Sequence, residues 1–267
     1  MNAIDGAKAA QDRRLPLEGA PNFRDFGGYA AADGRAIRRG MLYRSGALGR
    51  LTEADVDTLN AFGAWTIVDL RHEGERRAAP THARLAAAGV HSLPMGSGNG
   101  AAPVPRPVLL TVADATPEQA VEGIKASYRR YIHDHRDRFI TLFDVLLADR
   151  AGPVVIHCTA GKDRTGISVG LVLLALGAGR DAVISDYCAT RDNLDAAWRE
   201  HILAAMLEDP SLVNRRVADV MFDASPDYIG ATLAELDERH GSPEGYLKEA
   251  LGLDAAKLER LRERYLD

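Results

Sequence analysis

The chain has 267 residues, of which 46% are hydrophobic and 27% are charged, and its formal net charge is −5. These values are ordinary for a globular protein with a sizeable core, and the negative balance gives no general basis for binding nucleic acid or an anionic membrane surface. Any anion that the protein binds must therefore meet a local positive site.

Cysteine content and apolar segments indicate the compartment. Cys158 and Cys188 allow at most one disulfide, unlike the stapled scaffolds of small secreted proteins. Residues 1–16 are charged throughout and lack the apolar part of a signal peptide, and residues 167–178, the longest apolar stretch, are too short to span a bilayer. We expect a cytoplasmic protein with no integral membrane segment, while export without a signal peptide stays open.

The first part of the chain mixes strand and helix signals. Residues 1–16 are predicted to form a mobile tail, and residues 17–267 a single domain. The apolar residues 41–43 are a short strand candidate. A helix is expected to begin after Thr52, whose side chain can cap it, and to end at Gly63.

Two further strands and a long loop follow. The β-branched and apolar residues 66–70 suit a strand that is buried on both faces. A helix over residues 83–88 and a strand over residues 90–93 come next. Residues 95–107 are rich in Gly and Pro and predict a long loop, and residues 95–140 are a candidate lid or substrate region.

The next signals are a long helix, a strand and a buried helix. Thr116 with Pro117 marks a helix start, and the helical stretch that follows should break near residues 133–136. The strand of residues 154–156 then turns sharply into a helix over residues 165–176. That helix is apolar nearly all round and should be buried.

Beyond Gly179 every signal favours helix. Capping residues mark the starts and glycines mark the stops; the starts are Asp181, Ser225 and Ser242, and the stops are Gly241 and Gly252. Strands that alternate with helices in the first part predict an α/β fold, with a central, mostly parallel sheet flanked by helices and a helical C-terminal third.

The sequence HCTAGKDRTG at residues 157–166 carries the most specific signal in the chain. A cysteine and an arginine separated by five residues are a weak pattern on their own. Here a histidine precedes Cys158, Gly161 lies three residues after it, and Thr165-Gly166 follows Arg164. An apolar strand enters the segment and an apolar helix leaves it, which indicates a tight anion-binding loop.

The spacing in this loop suits transfer of a phosphoryl group to sulfur. Amides between a strand end and a helix start can point inward and bind phosphate oxygens, and the helix N-terminus adds partial positive charge. The expected substrate-binding residues are Thr159, Ala160, Gly161, Lys162 and Arg164. The same field favours the thiolate form of Cys158, which can attack phosphorus. The residues therefore predict a cysteine-dependent phosphatase with a cysteinyl-phosphate intermediate.

The proton donor for the leaving alcohol has two candidates. Asp163 lies in the loop beside the expected phosphate, although its neighbour Arg164 favours the ionised carboxylate. Asp69 ends a predicted parallel strand, and such strand ends gather at the active edge of α/β sheets. Both residues stay open, with Asp163 preferred.

The other residues of interest are expected to support the reaction. Lys162 adds a second cation at the mouth of the site, which suits a substrate more negative than one phosphotyrosine, such as a phosphoinositide. Thr165 can hydrogen-bond the sulfur and help it leave. His157 is expected to orient the loop, and Arg24 with Asp25 to clasp it from below or to contact the substrate.

HCTAGKDRTG resembles the signature of the bacterial atypical protein-tyrosine phosphatases, which include secreted triple-specificity enzymes. Three further segments resemble that family: NFRDFGGY at residues 22–29, LYRS at 42–45 and VDLR at 68–71. The resemblance covers most of the first 190 residues. It implies a tyrosine-phosphatase-like fold, often with a helical lid, and no metal or organic cofactor.

The resemblance also implies substrates. Activity on phosphotyrosine is expected, with phosphoserine, phosphothreonine and phosphoinositides as further substrates. Asp163 is similar in position to the acid of myotubularin lipid phosphatases, and Lys162 to a lysine of the tumour-suppressor phosphoinositide phosphatase. The Trp-Pro-Asp acid loop of ordinary tyrosine phosphatases has no convincing counterpart, which shifts weight to Asp163.

Two other classes of protein use a related loop. A sulfurtransferase also has a loop cysteine as its nucleophile, but it would not be expected to need Asp163 or the Thr165-Gly166 ending. A phosphate-recognition module would bind without turnover, yet a nucleophile, an anion clamp and an acid are all present. The histidines show no metal-ligand spacing, so no metal is expected.

Overall fold

The computed structural model of the protein describes residues 13–87, 89–96, 110–112, 114–149, 151–206 and 212–267. Within these ranges one five-stranded sheet has the order β1-β2-β5-β3-β4. The strands are β1 Arg24–Asp25, β2 Leu42–Ser45, β3 Thr66–Asp69, β4 Val90–Ser92 and β5 Val154–His157. β2, β5, β3 and β4 run parallel, and β1 pairs with β2 in the antiparallel sense. The predicted α/β fold with a mostly parallel sheet is confirmed.

Helices surround this sheet and form the C-terminal third. The helices of the first half are α1 Glu53–Asn60, α2 Glu73–Ala78, α3 Ala83–Ala86, α4 Pro117–Asp134 and α5 Arg136–Leu147. Those of the second half are α6 Asp163–Ala175, α7 Arg180–Cys188, α8 Thr190–Asn193, α9 Ala196–Met206, α10 Arg215–Phe222, α11 Pro226–His240, α12 Pro243–Gly245 and α13 Ala255–Tyr265, with a π-helix at Tyr246–Ala250. No helix of the described ranges has the length and apolar character needed to cross a bilayer.

The centre of the sheet is buried on both faces. β5 lies between β2 and β3, with Val154 level with Leu42 and Thr66. Every residue of these three strands is buried, as the apolar runs of parallel strands predict. Because their carboxyl ends share one edge, the residues that follow β2, β3 and β5 meet there.

Two apolar layers cover the faces of the sheet. On one face α6, which is buried nearly all round, packs with α5 and the C-terminal helices. On the other, Tyr43 and Trp65 lie edge to face with ring centroids 4.9 Å apart, and Phe23 packs against both. Burial of each such large side chain contributes about 1.5–3 kcal/mol, so β5 and α6 are held firmly on either side of the loop that joins them.

Most predicted elements are found within a few residues of their expected bounds. The break near residues 133–136 separates α4 from α5, and α6 begins two residues before the predicted start. The stops at Gly241 and Gly252 both have a positive φ, of 71° and 66°, which a glycine adopts without strain.

Three features of the N-terminal half differ from the predictions. β1 and α2 were not expected. Residues 13–15, placed in the predicted tail, instead run beside β1, with the Asp25 amide donating to the Arg13 carbonyl at 3.0 Å. Residues 1–12 of that tail, and most of the predicted loop at 95–107, lie outside the described residues. Of the candidate lid region, α4 and the start of α5 are described.

Candidate active site

The loop that joins β5 to α6 forms the floor of the site. β5 ends at His157 and α6 begins at Asp163, so the motif residues lie on this connection. Cys158 follows the strand directly as a free thiol with 2% of its surface exposed. Gly161 has a φ of +67°, and a Cβ there would lie 2.4 Å from the Ser45 carbonyl oxygen. Only glycine therefore permits this turn.

Three consecutive loop carbonyls accept hydrogen bonds from outside the loop. The Ala47 amide donates to the Thr159 carbonyl at 2.9 Å. Asn22 Nδ2 donates to the carbonyls of Ala160 and Gly161 at 3.2 and 2.9 Å, and Arg44 Nη2 donates to the Gly161 carbonyl at 2.7 Å. Because the C=O and N–H of one trans peptide point in opposite directions, these bonds turn the amides of residues 160–162 toward the inner side of the loop. Successive amides of this kind form an anion-binding concavity.

Two arginines and one carboxylate lie buried beneath the loop. Asp186 accepts a hydrogen bond from Arg44 and lies 3.6 Å from Arg24 Nε. Burial pushes the pKa of Asp186 upward, but Arg44 and Arg24 outweigh it and hold that pKa below its usual value. Two guanidinium groups around one carboxylate leave a net positive charge under the loop, which favours an anion above it.

Arg24 and Asp25 were predicted to act together under the loop, but their side chains bind different parts of the structure. Arg24 supports the loop indirectly, since it donates to Asn22 and to the Asp186 carbonyl at 2.7 Å. Asp25 instead accepts from the amides of Gly27 and Gly40, both at 2.7 Å. Asp25 therefore holds the segment after β1, and its place in the predicted clasp under the loop is corrected.

Arg164 is fixed by a carboxylate from α2. Its Nη1 and Nη2 donate to the two oxygens of Glu75 at 2.6 and 2.7 Å, a bidentate pair that sets the plane of the guanidinium. The Thr159 hydroxyl also donates to Glu75. Burial raises the pKa of Glu75, but Arg164 and Thr159 outweigh it and lower that pKa to about 2. Glu75 is therefore ionised at neutral pH.

Glu75 was missed by sequence reasoning because its helix was missed. The one local signal is a capping box in which His72 takes the place of the usual serine or threonine. The His72 amide donates to Glu75 Oε2 at 3.0 Å, and the Gly74 amide donates to His72 Nδ1 at 3.1 Å. One carboxylate thus caps α2 and holds the loop arginine.

Asp163 and Lys162 lie at the start of α6 with different exposures. The side chain of Asp163 is 45% exposed, and its Oδ1 accepts from the Tyr128 hydroxyl at 2.5 Å. Lys162 is buried, and its ammonium donates to the carbonyls of Met221 and Asp223 at the end of α10. Lys162 was predicted to place its charge at the mouth of the site, but its ammonium binds backbone carbonyls at the end of α10 instead. The C-terminal end of a helix attracts positive charge, which explains this position.

Asp69, the second candidate acid, lies buried beside the loop. Arg71 binds its carboxylate through Nη2 at 2.8 Å and Nε at 3.0 Å, and His157 Nε2 is 3.6 Å away. Burial raises the pKa of Asp69, yet His157 and Arg71 outweigh it and hold that pKa below its usual value. An ionised, arginine-bound carboxylate is poorly suited to donate a proton.

His157 and Thr165 are buried on either side of the loop. Burial lowers the pKa of His157 to about 4, so the imidazole is neutral at physiological pH. The hydroxyl of Thr165, in the first turn of α6, has no hydrogen-bond partner in the part of the chain that the structure describes. In that part there is also no group of three or more His, Cys, Asp and Glu side chains arranged to hold a metal ion.

Known proteins resemble this chain in sequence over most of its length. The profile of the tyrosine phosphatase family matches residues 15–267. The triple specificity protein phosphatase PtpB of Mycobacterium tuberculosis is 34% identical over 275 residues, which cover 94% of this chain and 97% of that protein. A tyrosine-protein phosphatase of Nostoc commune is 26% identical over 243 residues, 86% of this chain and 75% of that protein.

A solved structure of Pseudomonas aeruginosa TpbA in complex with phosphotyrosine is 17% identical, with a TM-score of 0.29, and the match covers 79% of this chain and 97% of that chain. The family match includes every described element that builds the loop, from the residues beside β1 to the C-terminal helices. The chain therefore belongs to the tyrosine phosphatase family and is a protein-tyrosine phosphatase of the bacterial atypical type.

Proposed function

We propose that the enzyme hydrolyses phosphotyrosine through a cysteinyl-phosphate formed on Cys158. The observation that carries this proposal is the set of loop carbonyls held outward, which leaves the amides of residues 160–162 free to bind phosphate oxygens above the buried thiol. The positive N-terminus of α6 and the buried pair Arg24 and Arg44 add to the positive charge that attracts phosphate to the loop.

The first step transfers the phosphoryl group to sulfur. The Cys158 thiolate attacks phosphorus, an S–P bond forms, and the P–O bond to the leaving group breaks with its electron pair on that oxygen. Asp163 gives this oxygen a proton. The inward amides and Arg164 stabilise the equatorial oxygens as charge develops on them.

The second step restores the enzyme. A water molecule attacks phosphorus, the Asp163 carboxylate takes its proton, and the S–P bond breaks to return the thiolate. Glu75 keeps the Arg164 plane fixed in both steps. The buried hydroxyl of Thr165, which has no hydrogen-bond partner among the described residues, serves the departing sulfur in this proposal. Asp163 suits both proton transfers because its side chain is half exposed at the start of α6.

Asp163→Asn should separate substrates by their leaving groups. We expect kcat/KM, which reports the first step alone, to fall by about 10²–10³-fold for alkyl or phenyl phosphates and by less than about tenfold for p-nitrophenyl phosphate, whose leaving group needs little protonation. Loss of the base in the second step should lower kcat for every substrate alike. Steady-state rates across a series of aryl phosphates measure this. The matched control is Asp69→Asn, which should lower all rates alike. An equal loss for every leaving group in Asp163→Asn would assign the acid elsewhere.

We extend the proposal to phosphoserine, phosphothreonine and phosphoinositides as additional substrates. The Mycobacterium tuberculosis relative, which is 34% identical to this chain, is named a triple specificity protein phosphatase. The prediction of phosphoinositide substrates depended on the charge of Lys162, but the Lys162 ammonium is bound by the carbonyls of Met221 and Asp223. Any preference for these substrates must therefore come from other groups or from release of Lys162.

Lys162→Ala tests which of these holds. If Lys162 only ties the loop to α10, kcat/KM should fall by a similar factor, about tenfold, for a phosphotyrosine peptide and for a soluble phosphoinositide. Phosphate release from both substrates measures this, with Lys125→Ala, on the outer side of α4, as the control. A loss confined to the phosphoinositide would instead place the ammonium on the substrate.

A further inference from the structure

We propose that Tyr128, supported by Tyr187, is a positioning residue that holds the Asp163 carboxylate for proton transfer. The inference rests on the proposed function, since it acts through Asp163 as the proton donor. Tyr128 lies on α4 and Tyr187 on α7, 35 residues before and 24 residues after Asp163 in the sequence. No motif in the chain joins these three positions.

The hydrogen bonds between the three side chains have a defined direction. An ionised carboxylate only accepts, so the Tyr128 hydroxyl donates its single proton to Asp163 Oδ1 at 2.5 Å. The oxygen of Tyr128 must then accept from the Tyr187 hydroxyl, 2.6 Å away. A chain of two phenol donors therefore ends on one oxygen of the acid, and each bond strengthens the other.

Packing keeps the two phenols in place. Tyr128 and Tyr187 are 3% and 1% exposed, and their rings meet edge to face with centroids 6.0 Å apart. A Cβ at Gly166 would lie 2.7 Å from the Tyr187 ring, so this ring lies directly against the first turn of α6. Burial raises the pKa of both phenols well above the usual value, which keeps them protonated donors throughout the working range.

The contacts distinguish the two oxygens of Asp163. Both Tyr128 and the Lys162 ammonium, at 3.4 Å, approach Oδ1. Oδ2 is therefore the oxygen left to carry the proton toward the leaving group. A carboxyl group that rotated freely would present the proton in the required direction only part of the time.

The Asp163 carboxylate is surrounded by groups from the loop and from four helices. The charged and titratable side chains around Asp163 are Lys162 and Arg164 of the loop and α6, Tyr128 and Tyr131 of α4, Tyr187 of α7 and Tyr228 of α11. Among them Tyr128 makes the shortest contact. This hydrogen bond therefore does the most to fix the orientation of the carboxylate.

Tyr128→Phe removes one hydroxyl and keeps the ring. We expect kcat/KM for phenyl phosphate to fall about tenfold and kcat/KM for p-nitrophenyl phosphate to change less than about twofold. Tyr187→Phe should give the same pattern with a smaller amplitude, since it acts one bond further away.

The matched control is Tyr246→Phe. Tyr246 is equally buried and donates to the Ile132 carbonyl at 2.6 Å, on the same helix as Tyr128 but away from Asp163. It should lower the melting temperature as much as Tyr128→Phe does and leave the ratio of kcat/KM for phenyl phosphate to kcat/KM for p-nitrophenyl phosphate unchanged.

Two outcomes overturn the inference, and they are distinguishable. If Asp163→Asn discriminates between leaving groups while Tyr128→Phe and Tyr187→Phe behave like Tyr246→Phe, the phenols are structural and the proposed acid stands. If Asp163→Asn does not discriminate between leaving groups, the acid assignment falls, and the positioning role falls with it.

Discussion

Replacing Cys158 with serine should lower turnover of phosphotyrosine by about 10⁴-fold or more, while binding of phosphate is retained. A serine hydroxyl in the same place is almost wholly protonated at neutral pH, so it does not supply the anion that attacks phosphorus. The amides, Arg164 and the N-terminus of α6 remain, so the phosphate site itself should persist.

Rapid-quench kinetics and calorimetry with a phosphotyrosine peptide measure both parts of this prediction. Acid-quenched wild-type enzyme should carry a phosphoryl group on the peptide that contains Cys158, seen by mass spectrometry. Cys188→Ser is the matched control, since Cys188 lies at the end of α7 as the other free thiol, and it should keep its activity within about twofold. Turnover by Cys158→Ser at more than about 1% of the wild-type rate would exclude the thiolate mechanism.

Arg164→Lys should have the second largest effect, a loss of about 10³-fold in kcat/KM. The guanidinium gives Nη1 and Nη2 to Glu75, and its other Nη hydrogens make longer contacts with the Met95 carbonyl at 3.4 Å and the Thr159 hydroxyl at 3.3 Å. Phosphate oxygens can then use Nε–H and displace these two longer contacts. A lysine ammonium is a single point of charge and cannot hold a carboxylate and a phosphate in fixed planes at once. Glu75, whose pKa is about 2, would stay ionised beside the incoming phosphate.

Arg77→Lys is the control for this substitution. Arg77 lies on α2 with Glu75, but its side chain is exposed and pairs with Glu73. The change should leave kcat/KM within about twofold of wild type, because an exposed ion pair contributes little. The measurement is kcat/KM together with inhibition by inorganic phosphate. If Arg164→Lys keeps more than about a tenth of wild-type kcat/KM, simultaneous binding of Glu75 and phosphate by the guanidinium is not required for catalysis.

Local sequence patterns predicted the parts of the site that one segment builds. The turn from β5 into α6, with Cys158 at its start and Arg164 after it, follows from an apolar strand, a glycine and an apolar helix in succession. The four parallel strands were also found from their apolar runs. Only β1, two residues long, was too short to leave a pattern.

The partners of that segment could not be predicted, because they come from distant parts of the chain. Asn22 reaches the loop across 138 residues and Glu75 reaches Arg164 across 89. The position of Lys162 shows the same limit, since local charge predicted an exposed cation, whereas the carbonyls that bind it lie 59 and 61 residues further on. Such contacts depend on the strand order, in which β5 lies between β2 and β3.

The residue at position 22 adopts a φ of +62°, a left-handed backbone that asparagine tolerates better than most residues. In this conformation the side-chain amide of Asn22 donates to two successive carbonyl oxygens of the loop between β5 and α6. The anion-binding loop is therefore held in one shape before a ligand binds. A rigid receptor selects by shape as well as by charge. Tetrahedral oxyanions such as vanadate and sulfate should therefore compete for the pocket, whereas planar nitrate, of similar size, should not.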